Sequence, residues 1–155
     1  SIEKDSGTRM IDIMVSIDEH PLSRWGTDGL VLATPTGSTA YAWSAGGPVV
    51  WPDVEALLVV PNAAHALFTR PLVIAPTSEI RVELMDRRHQ RAHVWCDGRR
   101  HAPLAAGDAV TVRRSTQPVL LARLRSPAFV ARLVGKFDLP VHGWRHTDHN
   151  RGQSQ

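Results

Sequence analysis

The sequence predicts a mainly β fold, a two-layer antiparallel β-sandwich with one short helix and one C-terminal helix. Short apolar segments recur roughly every 10–15 residues with turn residues between them, which is typical of antiparallel sheets. Several of these segments alternate apolar and polar residues, as half-buried strands do. A chain of 155 residues also has the length of a single domain.

The first half of the chain contains four predicted strands. Residues 10–17, "MIDIMVSI", place four β-branched residues on one face, whereas "LVLA" at 30–33 is a short apolar strand stopped by a proline. Residues 56–61 and 70–76 are two further apolar strands that end at prolines. Between the first two strands, "DEHPLSRWGTDG" at 18–29 is predicted to be a polar connection with turn residues.

The second half contains four more predicted strands. Residues 79–85, "EIRVELM", alternate clearly, with Ile80, Val82 and Leu84 on one face. Residues 91–98 alternate in the same way. The remaining two predicted strands are 108–114 and 118–125.

Two helices are predicted. Residues 39–45, "TAYAWSA", form a short helix that Gly46-Gly47-Pro48 terminates. The second helix starts with Ser126 as N-cap and Pro127 at the first helical position, and it stops at Pro140. Its apolar face is formed by Phe129, Leu133 and Phe137, with Val130 and Val134 beside them. Residues 146–155 have nothing to bury and are predicted to be a disordered tail.

The composition limits the possible classes of protein. Cys96 is the one cysteine, which excludes an intramolecular disulfide and favours a reducing compartment. No apolar run approaches the roughly 18 residues of a membrane helix. Residues 1–60 carry three Lys or Arg against eight Asp or Glu, and residues 61–155 carry fifteen against seven. This asymmetry suits a polyanionic ligand or a self-complementary oligomer, and it suits solvated strand edges equally.

Residues 28–48, "DGLVLATPTGSTAYAWSAGGP", are the candidate functional segment. Five hydroxyl side chains within eight residues exceed what a helix cap uses and suit recognition of a polar ligand. The backbone at 37–39 is also a candidate nest for an anionic oxygen. A structural junction between strand, turn and helix explains the same residues, so the pattern alone leaves both interpretations open. The five hydroxyl residues are Thr34, Thr36, Ser38, Thr39 and Tyr41.

Other chemistries fit less well. The segment has no lysine for a Walker loop, and the fingerprint GxGxxG is absent. "AWSAG" at 42–46 nearly matches a nucleophile elbow, but a helix precedes Ser44.

The eight histidines, among them His93, show no metal-ligand spacing. The pI of about 9.7 and the Arg pairs suggest nucleic acid, yet no nucleic-acid motif occurs. Asp28 and Asp97 each precede glycine, and each suits a turn or a hydrogen-bond acceptor.

The motifs together resemble the C-terminal domain of NAD kinases. "DGLVLATPTGSTAYAWSAGGPVVWPD" is similar to the signature segment of that family, in order and without gaps. "VPNAAHALFTRPLV" and "VWCDGRR" resemble its later segments, and the ending "FVARLVGKFDLPVHGWR" resembles actinobacterial members. The resemblance covers residues 1–145, which we therefore expect to form one NAD-binding and oligomerisation domain.

The resemblance implies the fold and the site. It implies a β-rich domain of two packed sheets, in agreement with the strand pattern. It places the NAD adenosine against the positions of Thr36, Thr39, Ala40 and Tyr41. It places Ser44 and Asp28 near the nicotinamide or second nucleoside, with the counterpart of Asp28 coming from a neighbouring subunit. A homodimer or homotetramer is therefore implied.

The resemblance also implies the reaction. Members transfer the terminal phosphate of ATP or polyphosphate to the adenosine ribose 2′-hydroxyl of NAD, giving NADP, with a divalent metal that we expect to be Mg²⁺. The catalytic Asp of the family belongs to a Gly-Gly-Asp-Gly motif in an N-terminal α/β domain, and that motif does not occur here. We therefore expect the isolated chain to be inactive, to hold no metal alone, and to come from a cytoplasmic enzyme. The alternative is a non-catalytic nucleotide-binding or assembly module.

Overall fold

The computed structural model describes residues 1–85, 90–122, 124 and 127–141. The chain divides into two compact units, Ser1–Pro118 and Val119–Gln155. The first unit contains two antiparallel sheets, and the described part of the second contains one α-helix. The predicted mainly β, two-sheet fold is confirmed. None of the helices in the described ranges is long and apolar enough to cross a membrane.

Sheet A has six strands, all paired antiparallel. The N-terminal strand β1, Ile2–Lys4, lies inside the sheet and joins its two parts. The strands follow the order β6 (Leu72–Ile74), β5 (Leu57–Asn62), β4 (Gly29–Ala33), β1 (Ile2–Lys4), β8 (Arg91–Cys96) and β9 (Arg100–Ala105).

Sheet B has four antiparallel strands in the order β10 (Ala109–Val112), β7 (Ile80–Leu84), β2 (Ile11–Ile17) and β3 (His20–Thr27). The register of β2 against β3 shifts between Val15 and Ser16, which marks a bulge. On its outer face Arg24 donates two hydrogen bonds to the Asp12 carboxylate, at 2.8 and 2.7 Å.

The core lies between the inner faces of the two sheets. Strands β2 and β7 alternate as predicted, with every second residue fully buried except Ile17 at the end of β2, which is half-buried. Trp25 is also fully buried, and its indole N–H donates to the carbonyl of Phe68 at 2.8 Å, so its polar atom is satisfied. Buried core residues include Ile2, Leu30, Leu57, Val59, Ala92 and Leu104 from sheet A and Ile11, Ile13, Val15, Trp25, Ile80, Val82 and Leu84 from sheet B.

A second, smaller core lies on the outer face of sheet A. A 3₁₀ helix, Thr36–Thr39, and helix α1, Tyr41–Ser44, pack there over strands β4 and β5. Gly47 permits this approach, because a Cβ at that position would lie 2.7 Å from the carbonyl oxygen of Ala42 and 2.9 Å from Val60. The buried residues of this core are Val31, Ala42, Val50, Leu58 and Val60.

The predicted strands require three corrections. Residues 20–27, predicted to be part of a polar connection, form β3, because Trp25 and Thr27 are buried while their polar neighbours face outward at a sheet edge. Strand β9 was not predicted, since it buries only Leu104, and no bounds were predicted for β1, which has three residues. The strand predicted at 118–125 is wrong for the described residues 118–122 and 124, which are not in a sheet.

The predicted helices also differ in detail. The helix predicted at 39–45 is two short turns, because Ala40 leaves the helical region at φ −103° and ψ −128°. Helix α2 spans Phe129–Phe137, so Pro127 precedes the helix instead of opening it. Asp138, in the left-handed conformation at φ 48°, ends the helix before Pro140 is reached. The predicted N-cap Ser126 and the tail 146–155 lie outside the described residues.

Candidate functional site

Two hydroxyls of the Thr-Ser-Gly segment bond to backbone groups within the turn and at Val50. Ser38 is buried, and its Oγ accepts a hydrogen bond from the N–H of Val50 at 3.0 Å and donates to the carbonyl of Val50 at 3.3 Å. Thr34 Oγ1 accepts from the N–H of Gly37 at 3.4 Å. These two hydroxyls therefore stabilise the turn, as the structural interpretation requires.

The remaining predicted residues of the segment face outward. Thr36 and Ala40 are exposed, Thr39 is half-buried, and Ser44 is exposed at the end of α1. Tyr41, at the start of α1, keeps 40% of its surface exposed. The segment is thus compatible with both interpretations, since two hydroxyls stabilise the turn and those of Thr36, Tyr41 and Ser44 are exposed.

Asn62 connects Tyr41 to Asp28. The Asn62 amide nitrogen donates to the Tyr41 hydroxyl oxygen at 3.4 Å. The Asn62 backbone carbonyl accepts from the N–H of Asp28 at 3.2 Å and from the Thr27 hydroxyl. Tyr41 and Asp28, thirteen positions apart in sequence, therefore share Asn62 as a hydrogen-bond partner, one through its side chain and the other through its backbone.

Asp28 lies between β3 and β4 with its carboxylate in an ion pair. Its Oδ1 is 3.0 Å from Lys4 Nζ, which also donates to the carbonyl of Arg9 at 3.0 Å. A carboxylate fixed by an ammonium in this way is suited to accept hydrogen bonds from a ligand.

Asp97, the other aspartate that precedes a glycine, has a structural position. Asp97 and Gly98 occupy the turn between β8 and β9 at φ 52° and 65°, and type I′ turns require positive φ at both central residues.

Burial raises the pKa of the Tyr41 phenol above its ordinary value. The nearby Glu3 carboxylate adds to this rise, whereas the hydrogen bond from Asn62 opposes it. Tyr41 therefore stays protonated at neutral pH and presents a hydroxyl that can donate as well as accept.

Sequence reasoning missed Glu3, Lys4 and Asn62. Glu3 is opposite Gly29, and Gly29 is opposite Asn62, so the register of β1, β4 and β5 places these residues in one row. The only sequence signal was the position of Asn62 in an otherwise apolar strand. In the part of the chain that the structure describes, no group of three or more His, Cys, Asp or Glu is arranged to hold a metal ion.

This geometry defines a class of fold, a domain of two antiparallel sheets with a hydroxyl-rich turn on the outer face of one sheet. Residues 1–124 match the family model of the ATP-NAD kinase C-terminal domain. The chain therefore belongs to the ATP-NAD kinase C-terminal domain family, and the predicted membership is confirmed.

Similar proteins come from actinobacteria, as the ending of the chain predicts. The NAD kinase of Thermobifida fusca is 57% identical over 143 residues, covering 92% of this chain and 44% of that protein. NAD kinase 2 of Streptomyces avermitilis is 54% identical over 150 residues, covering 96% of this chain and 49% of that protein. The chain thus spans about half the length of the curated relatives it matches.

Two solved structures share the fold. Yeast NADH kinase complexed with NADH matches with a TM-score of 0.64 and 35% identity, over 72% of this chain and 32% of that one. An NAD kinase from Archaeoglobus fulgidus in complex with ATP matches with a TM-score of 0.65 and 30% identity, over 74% of this chain and 43% of that one.

Proposed function

We propose that this chain is the NAD-binding C-terminal portion of an NAD kinase. The complete enzyme transfers the terminal phosphate of ATP or polyphosphate to the adenosine ribose 2′-hydroxyl of NAD, giving NADP. The observation that carries the proposal is the family match over residues 1–124, which includes the whole segment from Asp28 to Pro48. The relatives named NAD kinase and the neighbours complexed with NADH and ATP support it.

The binding residues in this proposal are those of the signature segment. Thr36, Thr39, Ala40 and Tyr41 receive the adenosine, and Ser44 and Asp28 receive the nicotinamide or second nucleoside. The outward position of Thr36 and Tyr41 supports the assignment of these two residues. Residues 1–145 act as one domain for binding and self-association.

Catalysis requires groups beyond this chain. The sequence contains no Gly-Gly-Asp-Gly motif to supply the base that deprotonates the 2′-hydroxyl. Phosphoryl transfer also requires a metal-bound triphosphate aligned with that nucleophile. We therefore expect Mg²⁺ to enter with ATP in the complete enzyme, which is cytoplasmic in this proposal, and we expect the 155-residue chain alone to bind without turnover. NADP formation by the purified chain, free of host kinase, would refute this expectation.

Calorimetry of the chain with NAD and NADP tests binding directly. Tyr41→Ala and Asp28→Ala are each expected to weaken NAD binding several-fold, because each removes a hydrogen-bonding group from the site. His20→Ala is the matched control, since His20 is exposed on sheet B and its ring contacts only the carbonyl of Asp18 among the described contacts. Unchanged affinity in both site variants would contradict the assignment.

Self-association and the alternatives have their own measurements. Light scattering is expected to give a homodimer or homotetramer, since Asp28 is assigned to a neighbouring subunit's site. The alternative, a non-catalytic nucleotide-binding or assembly module, predicts that the complete natural protein binds NAD without forming NADP. Nucleic-acid binding instead predicts salt-dependent affinity for oligonucleotides and none for NAD.

A further inference from the structure

The main core ends in a cavity at one end of the two sheets. The inward-facing residues of four strands stop there at Leu32 of β4, Leu57 of β5, Ile80 of β7 and Val112 of β10. These four side chains line a cavity of about 170 Å³. Leu57 and Ile80 are buried, whereas Leu32 and Val112 are half-buried, so the cavity opens toward solvent. Protein interiors contain few voids larger than a water molecule, so a cavity of this size requires an explanation.

The rim of the cavity carries two exposed arginines, Arg113 and Arg114, which follow β10 of sheet B. Arg114 donates to Glu55, which precedes β5 of sheet A, at 2.8 Å, so this ion pair joins the two sheets at the opening. Arg113 is held less tightly, because its Nη1 is 3.9 Å from Glu79 Oε2, which is longer than a hydrogen bond. The Arg113 guanidinium therefore retains N–H donors for a ligand.

The size of the cavity and the chemistry of its walls restrict the ligand. An engineered apolar cavity of about 150 Å³ in another protein stays dry and binds benzene. The cavity here is of similar volume and accommodates one six-membered ring. Its buried walls are aliphatic and offer water no side-chain hydrogen-bond partners, which favours an apolar ring. At the rim, the planar fork of a guanidinium matches the two oxygens of a carboxylate.

We propose that this cavity binds a small carboxylic acid with one six-membered ring, which places the ring between the sheets and the carboxylate on Arg113. The site goes beyond the proposed function and does not depend on NAD binding. Glu55 and Glu79 offset the charge of the two arginines. Burial of the ring therefore supplies most of the affinity, and Arg113 supplies the preference for an anion over a neutral ring.

Calorimetry of the chain with three small molecules tests the site. Benzoate supplies a ring and a charge, benzyl alcohol supplies only the ring, and acetate supplies only the charge. Benzoate is expected to bind about fivefold more tightly than benzyl alcohol, the contribution of one exposed charge pair, and acetate is expected not to bind. Arg113→Gln is expected to remove the preference for benzoate. Arg81→Gln is the matched control, since Arg81 is an exposed arginine of sheet B that also pairs with a glutamate, and it is expected to leave the preference unchanged.

A second variant fills the cavity. Val112→Phe places a ring in the same space and is expected to weaken benzoate and benzyl alcohol more than about tenfold, because the ligand ring can no longer be buried there. Val73→Phe adds the same ring at an exposed position of β6 outside the cavity and is expected to change neither. Thermal unfolding shows whether each variant retains the fold. NAD affinity is expected to be unchanged in Val112→Phe, since Val112 is on the inner side of sheet B.

A spectroscopic readout on the wild-type chain locates the ligand without any variant of the cavity wall. In the carbon-13 NMR spectrum the Ile80 δ1-methyl signal, assigned by its absence in Ile80→Val, is expected to shift with benzoate and not with acetate. No shift of this signal, or equal affinity for benzoate and benzyl alcohol, overturns the proposal. The chain spans about half of its curated relatives. Benzoate binding by the chain that is lost in the complete natural protein would assign the cavity to the other half of that protein and would also overturn the proposal.

Discussion

The two faces of sheet A use the same strands for different purposes. On the inner face, Ile2, Leu30 and Val59 are fully buried and belong to the main apolar core against sheet B. On the outer face, alternate residues of those strands include Gly29 and Glu3 beside the apolar patch that holds α1. The inner face is apolar because burying its side chains between the sheets gives a favourable free energy. The outer face carries polar and aromatic groups that the core does not need, which is why we assign it to the ligand.

The largest effect is expected on the inner face. Leu30→Ala removes a fully buried side chain and is expected to lower the free energy of unfolding by about 3 kcal/mol, through lost transfer energy and the cavity left behind. Urea denaturation measures this change. Its neighbour Val31 faces outward and packs under α1, so Val31→Ala is the matched variant. Under conditions in which both variants are folded, Leu30→Ala is expected to bind NAD with wild-type affinity. Weaker binding by this folded variant would mean that the two faces are not independent.

An intermediate effect is expected where α1 meets β5. Gly47→Ala would place a Cβ 2.7 Å from a carbonyl oxygen of α1 and 2.9 Å from Val60, so the helix must move away from the sheet. This overpacking is expected to cost about 1–3 kcal/mol of stability. It is also expected to weaken NAD binding, because Tyr41 moves with α1.

Gly7→Ala is the control for Gly47→Ala, since a Cβ at Gly7 meets nothing within 4 Å. It is expected to leave both stability and NAD affinity near wild type. If Gly47→Ala lowers stability and leaves NAD affinity intact, the position of α1 does not determine the outer-face site.

The core could be predicted from the sequence because its signal is local. Strands β2 and β7 alternate strictly, and both were predicted with nearly correct bounds. Strand β3 was missed because its signal is mixed, with Trp25 buried while Arg24 beside it is exposed at the sheet edge. The opposite error occurred at residues 118–122, where an apolar run predicted a strand although Val119 and Leu120 are exposed and lie in no sheet.

The site could be predicted only in part because half of it depends on strand register. The hydroxyl-rich segment is contiguous, and its chemistry is visible in the sequence. Asn62 and Glu3 lie near Tyr41 only because β5, β4 and β1 pair in that order, and no bounds were predicted for β1. A residue whose role comes from its neighbours across a sheet leaves no pattern along its own strand.

The smallest effect, and the most specific, is the ionisation of Tyr41. Tyr41 is the one tyrosine in the chain, so the ultraviolet absorbance of tyrosinate follows this residue alone. Its pKa is raised in the folded state, chiefly by burial. The folded protein therefore holds its phenolic proton more tightly than the unfolded chain does. The stability linked to this proton is fully present below the unfolded pKa and is lost as the pH rises through the folded pKa.

Two variants test the outer-face row through that titration. Glu3→Gln removes the nearby negative charge and is expected to lower the pKa of Tyr41, whereas Asn62→Leu removes the opposing hydrogen bond and is expected to raise it. Glu83→Gln, on sheet B, is the control and is expected to leave the titration unchanged. Opposite shifts in the two variants require both side chains to lie beside the phenol, as the strand register places them. If neither variant moves the titration, Tyr41 does not lie beside Glu3 and Asn62, and its connection to Asp28 through Asn62 is lost.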